Sequence, residues 1–300
     1  MNIDEEDNMK RVLTIQDISC VGRCSLTVAL PILSVMGVEA CPLPTALLST
    51  HTAFAHFTFK DLTDEMVPID EVWEKEGLVF DVMESGYLGS IRQIEIVRRI
   101  GQRLRKSSHR KTGFLQIVDP AMADHGKLYT GFTPEFVVAM ADLCKDADLI
   151  LPNLTEACLM TGMEYRPDGD EGYWSEVANA LGDMGCRGVI LTGYSPDKAH
   201  IGAYSLQVLD GGRRIVNTYA NTRLADSFHG TGDIFASVVT GAMARGLELE
   251  TAVRLAVDFT LECMQWTQKD PGRRTYGVNF EQALPMLVHR QEMYANQMTK

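Results

Sequence analysis

Residues 228–237, with the sequence FHGTGDIFAS, place two glycines and a threonine directly before Asp233. The first N–H groups of a helix have no intrahelical acceptor, and the helix dipole is positive there. Gly230, Thr231 and Gly232 could therefore cradle an anion such as the terminal phosphate of a nucleotide. A carboxylate beside an anion is repelled unless it has a task, and Asp233 could accept the proton of a hydroxyl group opposite that phosphate. The pattern is consistent with phosphoryl transfer to an alcohol.

This glycine-rich stretch does not match two common nucleotide-binding motifs. A dinucleotide-binding fingerprint would need a third glycine where Phe235 stands, and no GxxxxGK[ST] phosphate loop occurs in the chain. An ordinary helix start remains the structural alternative, in which glycine permits a tight turn and Asp233 favours the dipole. Taken alone, GTGD favours that alternative, so the chemical interpretation depends on the polar residues elsewhere in the chain.

Asparagine and acidic residues follow two predicted strands. The run PNLTEA puts Asn153 and Glu156 three positions apart, which brings both side chains to one face of a first helical turn. The run DPAMADHGKLY adds Asp119 and Asp124. Carboxylate and amide oxygens suit Mg²⁺, so these residues are candidates for a metal site. Helix capping by Asn153 or Thr155 is the alternative for the first pair, and solvation of a loop is the alternative for the second.

An apolar, aromatic segment, LPTALLSTHTAFAHFTF, contains His51 and Thr52. A histidine in such a segment is more often a satisfied core residue than a ligand-binding one. Together with Phe54, His56 and Phe57, however, the pair describes a surface suited to a flat polar ring.

Alternating strand and helix patterns must position these residues. Short apolar runs predict buried strands over 11–16, 79–88, 114–120, 148–153 and 188–194, and amphipathic runs predict helices over 25–37, 90–107, 134–145 and 173–185. This alternation indicates a mostly parallel sheet covered on both faces. Ligands bind at the carboxyl ends of the strands in such sheets. The polar residues at those ends are Asp17, Tyr87, Asp119, Asn153 and Thr192.

The remaining patterns favour a single domain. Two strand-like runs around Asp210-Gly211-Gly212 predict a hairpin within 200–220, and two helical runs follow it. The chain shows no Gly-, Ser- or Pro-rich linker and no repeat. We expect an acidic, disordered tail over 1–10, without a signal peptide, and one domain over 11–300.

The composition and net charge of the chain limit the classes of partner that it could bind. The formal net charge of −12 disfavours nucleic acid and membrane surfaces, whereas small phosphorylated ligands depend on local groups. Pro31 interrupts the longest apolar stretch, which is too short to span a membrane. Seven scattered cysteines without a CxxC pair indicate reduced thiols. We therefore expect a cytoplasmic protein.

Six motifs in order carry a resemblance to a known family: VLTIQD…VGRCS, STHT, SGYLGS, VDPAMAD, LPNLTEA and GTGDIFA. Over almost the whole chain after the first ten residues, the sequence resembles pyridoxal kinases of the ribokinase superfamily. The resemblance implies an α/β fold of the ribokinase-like type, a three-layer α/β/α sandwich with a mostly parallel central sheet and no large lid domain. It implies ATP-dependent phosphorylation of the 5′-hydroxymethyl group of pyridoxal, pyridoxine or pyridoxamine, with Mg²⁺ and in a homodimer. It leaves open a requirement for a monovalent cation.

The resemblance also implies roles for individual residues. Asp233 matches the catalytic base, and Gly230, Thr231 and Gly232 match the anion hole that receives the phosphate. Positions around the nucleotide phosphates and the metal are matched by Asp119, Asp124, Asn153 and Glu156. Thr192 matches a position that contacts the nucleotide. The vitamin pocket is matched by Asp17, His51, Thr52 and Tyr87.

Three departures from the family pattern bear on the substrate. Asp17 stands where these kinases usually have a serine, and VGRCS, with Arg23, replaces a loop that usually ends in GN. His229 is more like the hydroxymethylpyrimidine kinases of thiamin synthesis, which share the fold. Such a pyrimidine kinase is the alternative enzyme, and a catalytically silent vitamin-binding protein is the alternative from another class.

Overall fold

The central sheet determines where the polar side chains can meet. The structure is a computed structural model that describes residues 9–107 and 113–290. Within these ranges the strands are β1 Arg11–Ser19, β2 Glu39–Leu48, β3 Phe59–Asp61, β4 Val82–Ser85, β5 Leu115–Val118, β6 Ala123–Asp124, β7 Lys127–Leu128, β8 Leu149–Ile150, β9 Gly188–Tyr194, β10 His200–Val208 and β11 Arg214–Thr222. Nine of these described strands form one sheet in the order β11-β10-β9-β8-β5-β4-β1-β2-β3. The strands from β9 to β2 run parallel, and β3, β10 and β11 add antiparallel edges.

Helices cover both faces of the sheet. They are α1 Leu26–Val35, α2 Thr63–Lys75, α3 Ile91–Ser107, α4 Pro134–Asp146, α5 Leu154–Thr161, α6 Glu171–Asp183, α7 Thr231–Ala244 and α8 Leu249–Lys269. One apolar cluster joins α1, α7 and α8 to one face, and a second joins α2 to α6 to the other. Neighbouring residues of β1 divide between them, since Val12 belongs to the first cluster and Leu13 to the second. The predicted three-layer α/β/α sandwich is confirmed.

A reversal of strand order creates the cleft. The chain passes from β1 through α1 to β2 on one side of β1, and then crosses back to β4 on the other side. Ligands of open parallel sheets bind where the strand order reverses, at the carboxyl ends of the strands. Asp17 lies near the end of β1, and Tyr87 follows β4. The reversal therefore sets these two predicted site residues beside each other.

The elements predicted from sequence patterns are present. The 200–220 hairpin forms from β10 and β11, with a short 3-10 turn over Asp210–Gly212. The patterns did not predict β2, because Pro42 and Pro44 lie within it and proline usually excludes a central strand. Strand β3 pairs only with residues 46–48 of β2, so the prolines lie where β2 is an edge strand and tolerates them.

The domain assignment stays a prediction. Residues 1–8 of the expected acidic tail lie outside the described residues, as do 108–112 and 291–300. Among the helices that the structure describes, none is both long and apolar enough to cross a bilayer. All seven cysteines are free thiols, as their scattered spacing predicted.

The packing of α2 against α3 generates a stability prediction. Asp70 of α2 is buried and pairs with Arg103 of α3, whereas Asp64 of α2 is exposed and pairs with Arg92 of α3. Removing one member of a buried pair leaves an uncompensated charge, whereas an exposed pair contributes little. We expect Asp70→Ala to lower the free energy of unfolding by about 3 kcal/mol. The matched control, Asp64→Ala, should lower it by less than about 1 kcal/mol. Urea unfolding of both variants tests this, and equal losses would contradict it.

Candidate active site

Gly230 fixes the start of α7. Its φ of +80° lies in the left-handed region, which glycine adopts without steric cost. A Cβ atom built on it would overlap the carbonyl oxygen of Arg23, in the loop after β1. No side chain of the described residues caps α7, so its first-turn N–H groups, those of Thr231, Gly232 and Asp233, are open to an anion.

Ser25 joins the buried Asp17 to the half-buried Asp233 across the cleft. Its backbone N–H donates to Oδ2 of Asp233 at 2.9 Å, and its hydroxyl group donates to Oδ1 of Asp17 at 2.6 Å. Ser25 has a φ of +48°, an uncommon conformation for a residue with a side chain. Ser19 donates a second, longer bond of 3.3 Å to Asp17. The loop after β1 thus holds the acid of β1 and the acid of α7 in one arrangement.

The pKa values of both acids are raised. Burial is the largest cause and raises the pKa of Asp233 to about 7, although the Ser25 N–H favours its charged form. The negative charges of Asp17 and Glu84 add to this rise. Burial also raises the pKa of Asp17, against the hydrogen bonds from Ser25 and Ser19. A carboxyl group whose pKa is close to neutral is suited to accept and release a proton near pH 7.

Glu84 is a buried acid that the motif analysis did not single out. It accepts a hydrogen bond from the Thr14 hydroxyl group at 2.6 Å and from the Gln16 amide at 2.9 Å. Burial raises its pKa. Its charge contributes to the raised pKa values of Asp233 and Asp119, so it belongs to the electrostatics of the cleft. The sequence did contain a signal for Glu84, because an acidic residue inside the predicted buried strand 79–88 is unusual.

Glu156 and Asn153 form a capping box at the start of α5. The Asn153 side chain accepts from the Glu156 N–H at 3.0 Å, and Glu156 Oε2 accepts from the Asn153 N–H at 2.9 Å. Glu156 Oε1 also accepts from the N–H of Met122 at 3.0 Å. The Glu156 side chain is only 2% exposed. The capping alternative is therefore confirmed for this pair, with Asn153 as the N-cap. Glu156 additionally anchors the loop after β5.

Asp119 directly follows β5 and Asp124 ends the short strand β6, and the two lie in different environments. Burial raises the pKa of Asp119 well above its usual range, and the charges of Glu156, Asp233 and Glu84 raise it further. Asp124 is exposed and lies 3.4 Å from the His125 ring nitrogen. In the described part of the chain, no three acidic, histidine or cysteine side chains come close enough together to hold a metal. The predicted trio of Asp119, Asp124 and Glu156 does not form a closed ligand cluster.

Aromatic and histidine side chains surround the predicted ring pocket. The His51 ring lies 5.5 Å from the His229 ring, which directly precedes the GTGD motif. Burial lowers the pKa of His51, as does the neighbouring His229, whereas Asp17 opposes the change. Tyr87 is half-buried, and the centroid of its ring lies 5.8 Å from the centroid of the Phe132 ring.

Tyr87 and Thr52, both predicted to line the pocket, differ in their exposure to solvent. Burial raises the pKa of Tyr87, and the charge of Asp17 raises it further, so Tyr87 faces the same cleft. Thr52 is exposed, next to His51 on the loop after β2. The aromatic segment also reaches the C-terminal part of the chain, since the Phe54 ring lies 5.1 Å from that of Tyr276.

The predicted nucleotide residues meet at the next strand ends. Thr192 pairs with Asn153 in an isolated parallel bridge, and its N–H donates to the carbonyl oxygen of Pro152 at 3.0 Å. Asn153 Nδ2 donates to the carbonyl oxygen of Ala123 at 2.8 Å, which ties this edge to the loop of Asp119. The carboxyl ends of β5, β8 and β9 therefore form one continuous rim.

Comparison with known proteins agrees with this geometry. The chain matches the phosphomethylpyrimidine kinase family over residues 32–279. A Bacteroides thetaiotaomicron protein, provisionally assigned as a phosphomethylpyrimidine kinase, is 37% identical, with 94% of each chain covered and a TM-score of 0.86. Another crystal form of that protein contains pyridoxal.

Two pyridoxal kinases are similar over nearly their full length. The structure of the Lactobacillus plantarum enzyme is 29% identical, covers 96% of this chain and 99% of its own, and has a TM-score of 0.84. The Leifsonia xyli enzyme is 29% identical over 296 residues, which cover 95% of this chain and 96% of its own. The resemblance inferred from the six motifs is confirmed: the chain belongs to the phosphomethylpyrimidine kinase family, whose members similar to it over nearly their full length include pyridoxal kinases.

Proposed function

We propose that the protein transfers the terminal phosphoryl group of ATP to the 5′-hydroxymethyl group of pyridoxal, pyridoxine or pyridoxamine. The observation that carries this proposal is the position of Asp233. Its carboxyl group, with a pKa of about 7, lies at the open N-terminus of α7 and is linked through Ser25 to Asp17 in the ring pocket. The 37% identity to a protein crystallised with pyridoxal supports a vitamin B6 compound as the acceptor.

Asp233 acts as the general base in this mechanism. It accepts the proton of the hydroxymethyl group as the oxygen attacks the terminal phosphorus of ATP and the bond to the leaving ADP oxygen breaks. The N–H groups of the first turn of α7 stabilise the negative charge on the transferred phosphoryl group. Gly230 keeps this turn close to the loop after β1, so the base and the anion site have a fixed relative position.

The ring pocket orients the acceptor. Asp17 can accept a hydrogen bond from a protonated pyridine nitrogen, and its charged form favours that protonation. His51 and Tyr87 provide further polar groups beside aromatic surface, and exposed Thr52 lies at the rim. A ring that lacks the matching substituents would leave buried polar groups unpaired.

Asn153 and Thr192 are proposed to contact the nucleotide on the other side of Asp233, together with the GTG backbone. Mg²⁺ fits Asp119, because no described group donates a hydrogen bond to this carboxylate and the surrounding acids oppose its ionisation. Asp124 at the rim could hold a metal-bound water, and Glu156 supports the metal site through the loop that it anchors. When bound, Mg²⁺ would neutralise charge on the phosphates.

The family resemblance supports a proposal about assembly and location. We propose a cytoplasmic homodimer. Exposed apolar side chains on β2 and around β3, those of Leu47, Phe57 and Phe59, support a contact surface next to the pocket loop.

Two other functions compete with this one. A hydroxymethylpyrimidine kinase is favoured by His229, which pairs with His51 at the pocket. A catalytically silent vitamin-binding protein would have no use for an acid with a near-neutral pKa at an open anion site. The hydroxymethylpyrimidine alternative uses the same phosphoryl-transfer chemistry, so only the acceptor distinguishes it.

The role of Asp233 can be tested by substitution. We expect Asp233→Asn to lower kcat by about 10²–10⁴-fold, because an amide cannot act as the base. Binding of ATP and of pyridoxal, measured by calorimetry, should change little. The wild-type kcat/KM should fall as the pH drops through about 7, since protonated Asp233 cannot accept a proton. Glu250→Gln on the exposed face of α8 serves as the control. A variant that keeps half of the turnover would remove Asp233 from this role.

The metal proposal predicts a change in Mg²⁺ dependence. We expect Asp119→Asn to raise the Mg²⁺ concentration for half-maximal turnover by about tenfold or more, because an amide is a poorer ligand for a hard cation. The KM for the vitamer should stay close to the wild-type value. Asp142→Asn, on the exposed surface of α4, is the matched control. Superimposable Mg²⁺ titrations of wild type and Asp119→Asn would exclude Asp119 from the metal site.

The acceptor proposal is tested with a substrate panel. We expect kcat/KM for the best B6 vitamer to exceed that for hydroxymethylpyrimidine by about tenfold or more, because unpaired polar groups penalise the wrong ring. Pyridoxal, pyridoxine, pyridoxamine and hydroxymethylpyrimidine are compared in one buffer at one ATP concentration. A higher value for the pyrimidine would overturn the B6 assignment and leave the kinase assignment standing. Absence of ATP turnover with every acceptor would favour the silent vitamin-binding protein.

A further inference from the structure

Arg23 ties the loop after β1 to the chain beyond α8. Its side chain forms an ion pair with Glu281, with 3.1 Å between Nε and Oε1, and donates a hydrogen bond to the side-chain oxygen of Asn279. Its backbone N–H points to the carbonyl oxygen of Tyr276 at 3.4 Å. A Cβ built on Gly277 would overlap the Arg23 side chain, so the two segments are in close contact.

The partner of Arg23 is itself rigidly held. Asn279 is only 3% exposed. Its N–H donates to the hydroxyl group of Thr267 in α8 at 2.7 Å, and its side chain donates to Asp270 at 2.8 Å. Arg23 is therefore bound to a buried residue, Asn279, that is itself held by hydrogen bonds.

Ser25, two residues along the chain, needs such a support. A positive φ at a residue with a side chain persists only where the surroundings determine it. The first part of the loop is bound to the end of β2 and to the segment after it, since Cys20 N–H donates to the carbonyl oxygen of Leu48 and His51 N–H donates to that of Val21. Arg23 supplies a further restraint, two residues before Ser25.

We propose that Arg23 is a positioning residue that holds Ser25 in its strained conformation and thereby fixes the carboxylate of Asp233 for phosphoryl transfer. Arg23 does not touch the reacting atoms in this scheme. It acts through the Ser25 N–H, which orients one oxygen of Asp233 and leaves the other available to the acceptor hydroxyl group. The catalytic part of this inference rests on the proposed function, whereas the conformational part concerns Ser25 alone.

Loss of the restraint should shift the pH profile of kcat/KM in one direction, to higher pH. The Ser25 N–H favours charged Asp233, against burial and the charges of Asp17 on β1 and Glu84 on β4. Asp119 after β5, Tyr129 after β7 and the Cys24 thiol in the loop after β1 also face Asp233. Without the N–H bond the pKa of Asp233 rises above about 7, so the acid limb of kcat/KM moves to higher pH.

Arg23→Gln, Arg23→Lys and the control Arg254→Gln separate positioning from general stability. The control removes an exposed ion pair with Glu250 on α8. We expect Arg23→Gln to lower kcat about tenfold at pH 7 with little change in the vitamer KM, and to move the acid limb upward by about one pH unit. Arg23→Lys should recover part of the loss, because lysine keeps the charge near Glu281 but lacks the second, fixed donor. Arg254→Gln should match wild type.

A crystal structure of Arg23→Gln provides a readout that needs no activity. We expect Ser25 to relax to a negative φ and its N–H to lose Asp233. Unchanged Ser25 geometry, or a kcat loss without a shift of the acid limb, would overturn the proposal. If Arg23→Gln does not fold, Glu281→Gln removes the partner at a half-exposed position and is held to the same outcomes. An inactive wild type would refute the proposed function, while the Ser25 geometry would still decide the conformational part.

Discussion

The two hydrogen bonds of Ser25 are the constraint on which the site depends. Asp17 and Asp233 come from a strand and a helix far apart in the sequence. The charge of Asp17 raises the pKa of Asp233, and both charges raise the pKa of the nearby Cys24 thiol. Two acids that face one cleft repel each other unless donors stabilise them. Ser25 supplies one donor to each, its N–H to Asp233 and its hydroxyl group to Asp17, from a conformation with a positive φ.

The sheet explains why so many acids meet near that constraint. Parallel strands deliver their carboxyl ends to one edge, so Asp17, Asp119 and the loop held by Glu156 lie along a single rim, with Glu84 beneath it. The negative charges of an acidic rim repel a phosphate group. In the proposed reaction, the positive N-terminus of α7 and a cation that arrives with the nucleotide would offset this repulsion, and the acids would then serve as ligands and proton acceptors.

Local patterns predicted the fold and part of the site. GTGD could be recognised because its anion site consists of consecutive backbone groups, and the capping pair Asn153 and Glu156 could be recognised from its spacing. The support of Asp233 could not, because Ser25 lies 208 residues from it and Arg23 lies 256 residues from Asn279. Strand β2 was missed for a related reason: its prolines are tolerated only because the neighbouring strand β3 is short, a property of the assembled sheet.

This difference explains why phosphoryl transfer is easier to infer than the acceptor. The proposed phosphate site consists of backbone N–H groups whose geometry Gly230 fixes, and a side chain at Gly230 would collide with the carbonyl oxygen of Arg23. The ring pocket uses side chains from separate strand ends, among them Asp17, His51 and Tyr87. Each can change without disturbing the sheet, so one scaffold can serve pyridine and pyrimidine rings. Asp17 is the exception, because Ser25 links this residue of the proposed ring pocket to Asp233, the proposed base.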